Sequence, residues 1–152
     1  MGAWGYGVFD DDSSYDVMAE LETSNNICEY LEKAFDSALS VDYVGFDEGI
    51  SVLVCAAVMD SILNNMVHRF DGFNSQSKSE VEGNEQYMNW IRMIMPVDCE
   101  YLKQKATSAL TKTMSDSSEL SELWAENTKL YPKWKNNVIE IIERLHVVRK
   151  ES

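Results

Sequence analysis

The sequence predicts an all-α fold: one domain, a bundle of six or seven helices around a buried central helix. Three observations carry this. Apolar residues recur at helical spacing over most of the 152 residues. No stretch alternates with the period of two that a half-buried strand needs. Only two prolines, Pro96 and Pro132, interrupt the chain, so long helices are permitted.

The elements follow in order. Ser13 and Asp16 are three apart and fit a capping box for a helix over Ser13–Glu22, with Val17, Met18 and Leu21 facing inward. Ile27, Leu31, Ala34, Phe35 and Ala38 then form one helical face. Glu29, Glu32 and Asp36 lie on the other side, and Asn26 with Glu29 repeats the capping pattern. From about Asp47 to Arg69, the run SVLVCAAVMDSIL is apolar nearly all round. Its length and the pair Ala56–Ala57 favour a buried central helix over a strand. Residues 71–83, polar and bounded by Gly72 and Gly83, read as a mobile loop. A helix over Asn84–Met95 stops at Pro96, because the residue before proline avoids the helical region.

Asp98 is the expected N-cap of the next helix, with a stripe of Leu102, Ala106, Ala109, Leu110 and Met114. The serine-rich group 115–118 marks a turn and a new start, and Leu120, Leu123 and Trp124 open that stripe. Pro132 either occupies the first turn of a last helix or kinks a continuous one. The last stripe is Trp134, Val138, Ile141, Ile142, Leu145 and Val148. Arg149 and Lys150 suit the negative end of its dipole.

The charge is the most informative feature. With 26 acidic and 13 basic residues the formal net charge is −13. Residues 1–68 hold 13 of the acids and a single base, Lys33, and so carry −12; the remaining 84 residues carry −1. A chain this acidic is a poor partner for nucleic acid, whose phosphates need Lys and Arg, or for an anionic membrane. It suits a basic protein partner, since such a surface speeds association and rejects wrong partners. The competing reading is that the acidic half packs beside the basic positions of the last helix and the charges partly cancel.

The three cysteines, Cys28, Cys55 and Cys99, are odd in number and widely spaced, so they spell neither a disulfide framework nor a metal pair. Cys55 lies in an apolar run and reads as a small core residue. No secretory signal is readable at the start, and the longest apolar run, Val52–Met59, is too short to span a bilayer. These features lead us to expect a soluble cytoplasmic protein, with the oligomeric state left open.

The opening MGAWGYGVFDDDSSYD combines Trp4, Gly5, Gly7, Phe9, Asp10, Asp11 and Asp12. Read physically, it is a docked arm ahead of a helix whose dipole favours the acids. It also resembles a bacterial family, number 4259 among the domains of unknown function, whose members open MGAWG-x-G-x-F-(D/E)-(N/D)-D. The resemblance is carried by the first sixteen residues or so. It implies a small bacterial cytoplasmic protein and no particular reaction.

Tests for chemistry find little. An EF-hand starting at Asp10 or Asp11 lacks glycine at its sixth position, which would be Tyr15 or Asp16. His68 and His146 form no metal-binding pair. His146 reads as a partly buried structural residue, and His68 as a cation at the end of the central helix. Asp60 is the one acid inside an apolar run; facing solvent is the commoner outcome for such a residue, and a buried, perturbed carboxylate there would be the route to a general acid. The leading expectation is therefore a non-enzymatic, acidic binding protein without cofactor or metal. Its concrete form is an immunity- or antitoxin-like protein that neutralises a basic bacterial toxin. Its partner-binding residues would be Trp4, Phe9, Asp10, Asp11, Asp12, Asp16, Glu20 and Glu22. The alternatives are an enzyme or metal-dependent protein using the N-terminal acidic cluster, and a helical scaffold that oligomerises through Trp and Met.

Overall fold

The structure, a computed structural model, describes residues 12–66, 68, 80–94 and 98–146. Within them are seven α-helices: α1 (Asp12–Thr23), α2 (Ile27–Leu39), α3 (Phe46–Asn64), α4 (Glu80–Ile94), α5 (Lys103–Thr113), α6 (Glu119–Ala125) and α7 (Tyr131–His146). A 3-10 turn, Glu100–Leu102, leads into α5. There is no strand among the described residues; the one β feature is an isolated bridge between Val44 and Ser118.

The expected central helix is α3. Every residue from Val52 to Ile62 is buried, so the helix has no wet face and its neighbours must enclose it. Helices α1, α2, α5 and α7 do most of this, with α4 and α6 covering the remainder. At the N-terminal end, a Cβ on Gly49 would meet Leu120 and Thr113 at 3.4 Å. The missing side chain therefore lets α5 and α6 settle closely against α3.

Local signals set most helix ends. The Asn26 side chain accepts from the Glu29 amide at 3.1 Å and caps α2. The other half of the expected box is absent, because Glu29 pairs with Lys33 instead. Ahead of α3, the Glu48 carboxylate accepts from the Gly45 amide at 3.3 Å. Ser118 caps α6 through the Ser121 amide, and the bridge at Val44 ties this turn to the α2–α3 connection. Pro132 sits in the first turn of α7, and an intervening turn separates α7 from α6. Trp134 of α7 stacks on Trp124 of α6, ring centroids 6.0 Å apart.

Several boundaries differ from expectation. Helix α1 starts at Asp12, which puts Ser13 inside the first turn instead of ahead of it. Helix α3 ends at Asn64, five residues before Arg69. Asn65 adopts φ 56°, ψ 29°, and its amide bonds the Ser61 carbonyl; asparagine tolerates this left-handed conformation and so stops a helix. The loop expected over 71–83 lies outside the described residues as far as 79, and from Glu80 the chain is already helical, with Gly83 inside α4. Asp98 precedes the 3-10 turn, whose N-cap position is Cys99, and its carboxylate accepts from the Glu100 amide at 3.3 Å before α5 begins. His146 is exposed. It follows Leu145 in the chain, and the next residue on a helix points about 100° away from the buried stripe.

Phe35 and Leu39 lie one turn apart on α2, Phe35 fully buried and Leu39, the last residue of the helix, 36% exposed. Phe35→Ala is expected to lower the unfolding free energy by about 3–5 kcal/mol, against about 0.5 kcal/mol or less for Leu39→Ala, as read by urea denaturation.

Candidate functional site

Two polar assemblies stand out against the apolar core. One is the outer face formed by α1, α2 and the start of α3. The other is a buried cluster on Asp60.

The outer face is built around α2, whose buried side docks on α3 and whose wet side carries Tyr30, Lys33 and Ser37. Between that wet side and the start of α3 runs a groove of about 270 Å³, lined by Tyr30, Lys33, Ala34, Ser37, Asp47, Glu48 and Ser51. A second groove, about 230 Å³, adjoins it across Tyr30 and Lys33 and reaches Ser24, Asn26 and Glu29. The Tyr30 hydroxyl donates to the Glu20 carboxylate at 2.6 Å, pinning α1 to the groove wall. Burial, followed by that bond, holds the Tyr30 phenol above its ordinary pKa.

Of the acids expected to bind a partner, Asp16, Glu20 and Glu22 are exposed on α1. Glu20 is engaged by Tyr30. Glu22 is exposed as a residue, but its carboxyl is desolvated enough to push its pKa up to about 7. Trp4, Phe9, Asp10 and Asp11 lie outside the described residues, as does the side chain of Asp12. The sequence reading missed Tyr30, Lys33, Asp47 and Glu48. The isolation of Lys33 as the sole base of its half was the available signal.

Part of the acidic charge is cancelled, as the competing reading expected, but chiefly by α5. Lys105 bridges Glu32 at 2.9 Å and Asp36 at 3.0 Å. Those bonds raise its pKa, the one to Glu32 contributing most. Lys33 pairs with Glu29 at 3.0 Å. Among the described residues, no base lies in ion-pair range of Asp16, Glu22, Asp42 or Asp47.

Asp60, fully buried on α3, is surrounded by donors. Arg144 of α7 approaches through Nε at 2.8 Å and Nη2 at 2.8 Å. Asn64 Nδ2 donates at 2.9 Å, and His68 Nε2 lies at 3.0 Å. Burial alone would raise the Asp60 pKa; the bonds from His68, Arg144 and Asn64 outweigh it, and the net displacement is downward. Asp60 is thus buried and perturbed, but in the direction opposite to a general acid. It stays ionised, and its oxygens are occupied. Beside it, the Ser61 and Tyr87 hydroxyls share a buried hydrogen bond of 2.7 Å. Among the described residues, no three His, Cys, Asp or Glu side chains group as a metal site, and no helix is long and apolar enough to cross a membrane.

A family model described as domain of unknown function (DUF4259) matches residues 2–137. No curated protein matches, and no solved structure matches.

Removing Arg144 strands a buried carboxylate, so Arg144→Met is expected to cost about 3–5 kcal/mol at neutral pH. The Asp60 pKa is lowered on folding. Its stabilisation is therefore present above the ordinary carboxylate value near 3.9 and disappears as pH falls through the folded value. The difference between wild type and Asp60→Asn should shrink on acidification below about pH 4, in denaturation curves collected from pH 2 to 7. A constant difference would contradict the assignment. Glu22 runs the other way. Its pKa is raised on folding from 4.5 to about 7, so the native state holds the extra proton between those values and loses stability as pH rises across that window, levelling off above it. Glu22→Gln should match wild type below about pH 4 and melt higher at pH 8.

Proposed function

We propose that this chain, which belongs to the DUF4259 family of domains of unknown function, is a non-enzymatic binding protein. Its α1–α2–α3 face would receive a basic protein. The observation that carries the reading is the pair of adjoining grooves lined by Asp47, Glu48 and Glu29, on a half of the chain with one base and with Asp16 and Asp42 also exposed. Grooves supply area that water leaves on binding, and Tyr30 offers an aromatic contact at their junction. The carboxylates supply attraction over about 8 Å at physiological salt. The finer form of the proposal is an immunity- or antitoxin-like role in a bacterial cytoplasm, covering the positive site of a toxin.

Two features support a binding role over catalysis. Among the described residues, the one deeply buried carboxylate, Asp60, is held ionised by its donors, which removes it as a proton source at neutral pH. The grooves are open and shallow, without a sheltered nucleophile. Glu22 adds a pH sensitivity, because ionisation near 7 strengthens the negative face as the medium becomes alkaline.

The test uses a basic toxin domain encoded beside this chain, with association and dissociation rates measured separately. Steering by charge is worth about 10-fold or more in association rate and falls with salt. Asp16→Lys combined with Asp47→Lys should slow association about 10-fold at low salt and change dissociation far less. An affinity that is the same at 50 and 500 mM salt, roughly a threefold change in Debye length, would remove the electrostatic basis of the proposal.

A further inference from the structure

Cys28 and Cys99 are far apart in sequence and adjacent in space. Cys28 stands half-buried in the first turn of α2. Its thiol lies 3.4 Å from the carbonyl oxygen of Asp98 and donates to it. The next residue is Cys99, fully buried. A carbonyl oxygen and the following Cα lie on the same side of a trans peptide, about 2.8 Å apart. The Cys28 sulfur is therefore within about 6 Å of the Cys99 Cα. With each sulfur about 2.8 Å from its own Cα, the two Cα atoms stand within about 9 Å, and closing a disulfide, whose Cα atoms lie about 4.4–6.8 Å apart, takes side-chain rotation and an approach of the start of α2 to the entry of α5. The two sulfurs also sense each other. Burial pushes the Cys99 thiol up to about 12, and the charge of a Cys28 thiolate is the next largest cause. The third cysteine, Cys55, is sealed inside α3.

We propose that Cys28 and Cys99 are an oxidisable pair that a hydroperoxide converts to an intramolecular disulfide. Cys28, the more accessible sulfur, reacts first. Its thiolate attacks a peroxide oxygen, the O–O bond breaks and hydroxide leaves, giving a sulfenic acid. With hydrogen peroxide, the hydroxide becomes water on taking a proton. Cys99 then attacks the Cys28 sulfur; the S–O bond breaks, and its oxygen leaves as water with the proton given up by Cys99. Two thiols and one hydrogen peroxide yield one disulfide and two waters. The order is favoured electrostatically, because the neutral sulfenic acid no longer opposes ionisation of Cys99.

The bond would staple the first turn of α2 to the entry of α5. Asn26 and Glu29, on either side of Cys28 in sequence, line the smaller groove, so oxidation would fix one wall of the outer face. The pairing stands whether or not that face receives a protein.

The full chain, reduced and then exposed to hydrogen peroxide, would be denatured, alkylated with N-ethylmaleimide and weighed. The expected product is a monomer lacking two hydrogens, alkylated once, at Cys55, with the 28 and 99 peptides joined. It should melt several degrees higher than the reduced chain, reversibly with dithiothreitol. Cys28→Ser should keep both remaining thiols alkylatable after the same treatment. Cys99→Ala should leave a sulfenic acid at Cys28 that dimedone captures, which reports the first step even if the variant is less stable. The proposal is overturned by three alkylated cysteines after oxidation, by a link through Cys55, by a dimer through Cys28, or by sulfinic acid at Cys28 with Cys99 free.

Discussion

A helix with no polar face cannot end the hydrophobic problem; it passes it to every neighbour. Helix α3 is apolar around its whole circumference over Val52–Met59, and about 28 Å long at 1.5 Å per residue. Leaving any side of it in water would expose a continuous apolar strip. Each surrounding helix therefore needs one apolar stripe and can keep the rest of its surface polar. That is the pattern of α2, α5 and α7, whose buried residues recur every three or four positions. Small residues at Gly49, Ala56 and Ala57 thin the central helix and let the shell close upon it.

The same constraint decides where the charge goes. With the centre apolar, the acids of residues 13–66 other than Asp60 are left on the outside, and only a few bases face them. Lys105 reaches across from α5 to take two carboxylates at once, which spares one side chain's ordering entropy relative to two separate pairs. What it leaves uncovered is the face around the α2 grooves. Such exposed pairs contribute little stability, typically about 1 kcal/mol or less each. The acidic excess is thus not explained by what it adds to the fold; under the proposed function it is the surface that a basic partner would meet.

Much of this was legible in the sequence, and the failures have physical causes. The apolar stripes gave the helices and the all-round apolar run gave the centre, because burial and helical period are local properties of the chain. The end of α3 was misplaced because Asn65 looks like any polar helix residue until its backbone turns left-handed. Asp98 was assigned to α5 although its carboxylate meets the first amide of the intervening 3-10 turn, a distinction of one hydrogen-bond step. The groove was missed for a different reason. Tyr30, Lys33, Asp47 and Glu48 come from two helices, and no spacing rule within one helix brings them together. Nor does the chain announce that Cys28 touches the residue before Cys99, since 70 positions separate Cys28 from Asp98.

Asp60 shows the limit most clearly. An acid inside an apolar run signals that something must compensate it, but the compensating groups lie on three different parts of the chain: Asn64 one turn on, His68 past the helix end and Arg144 on α7. An isolated carboxylate in the core would be unaffordable, costing several kcal/mol, so the fold is consistent only when all three converge. That demand is directional, whereas hydrophobic contact is not. The stripe of α7 would pack almost as well if the helix slid or rotated slightly against α3; the Arg144 fork meets the carboxylate in one register only. The buried charge therefore adds specificity where the apolar surfaces supply the bulk of the energy. It also joins the C-terminal ends of α3 and α7, the end of the bundle away from the grooves on the start of α3, leaving the acidic face unencumbered by the network that orders the core.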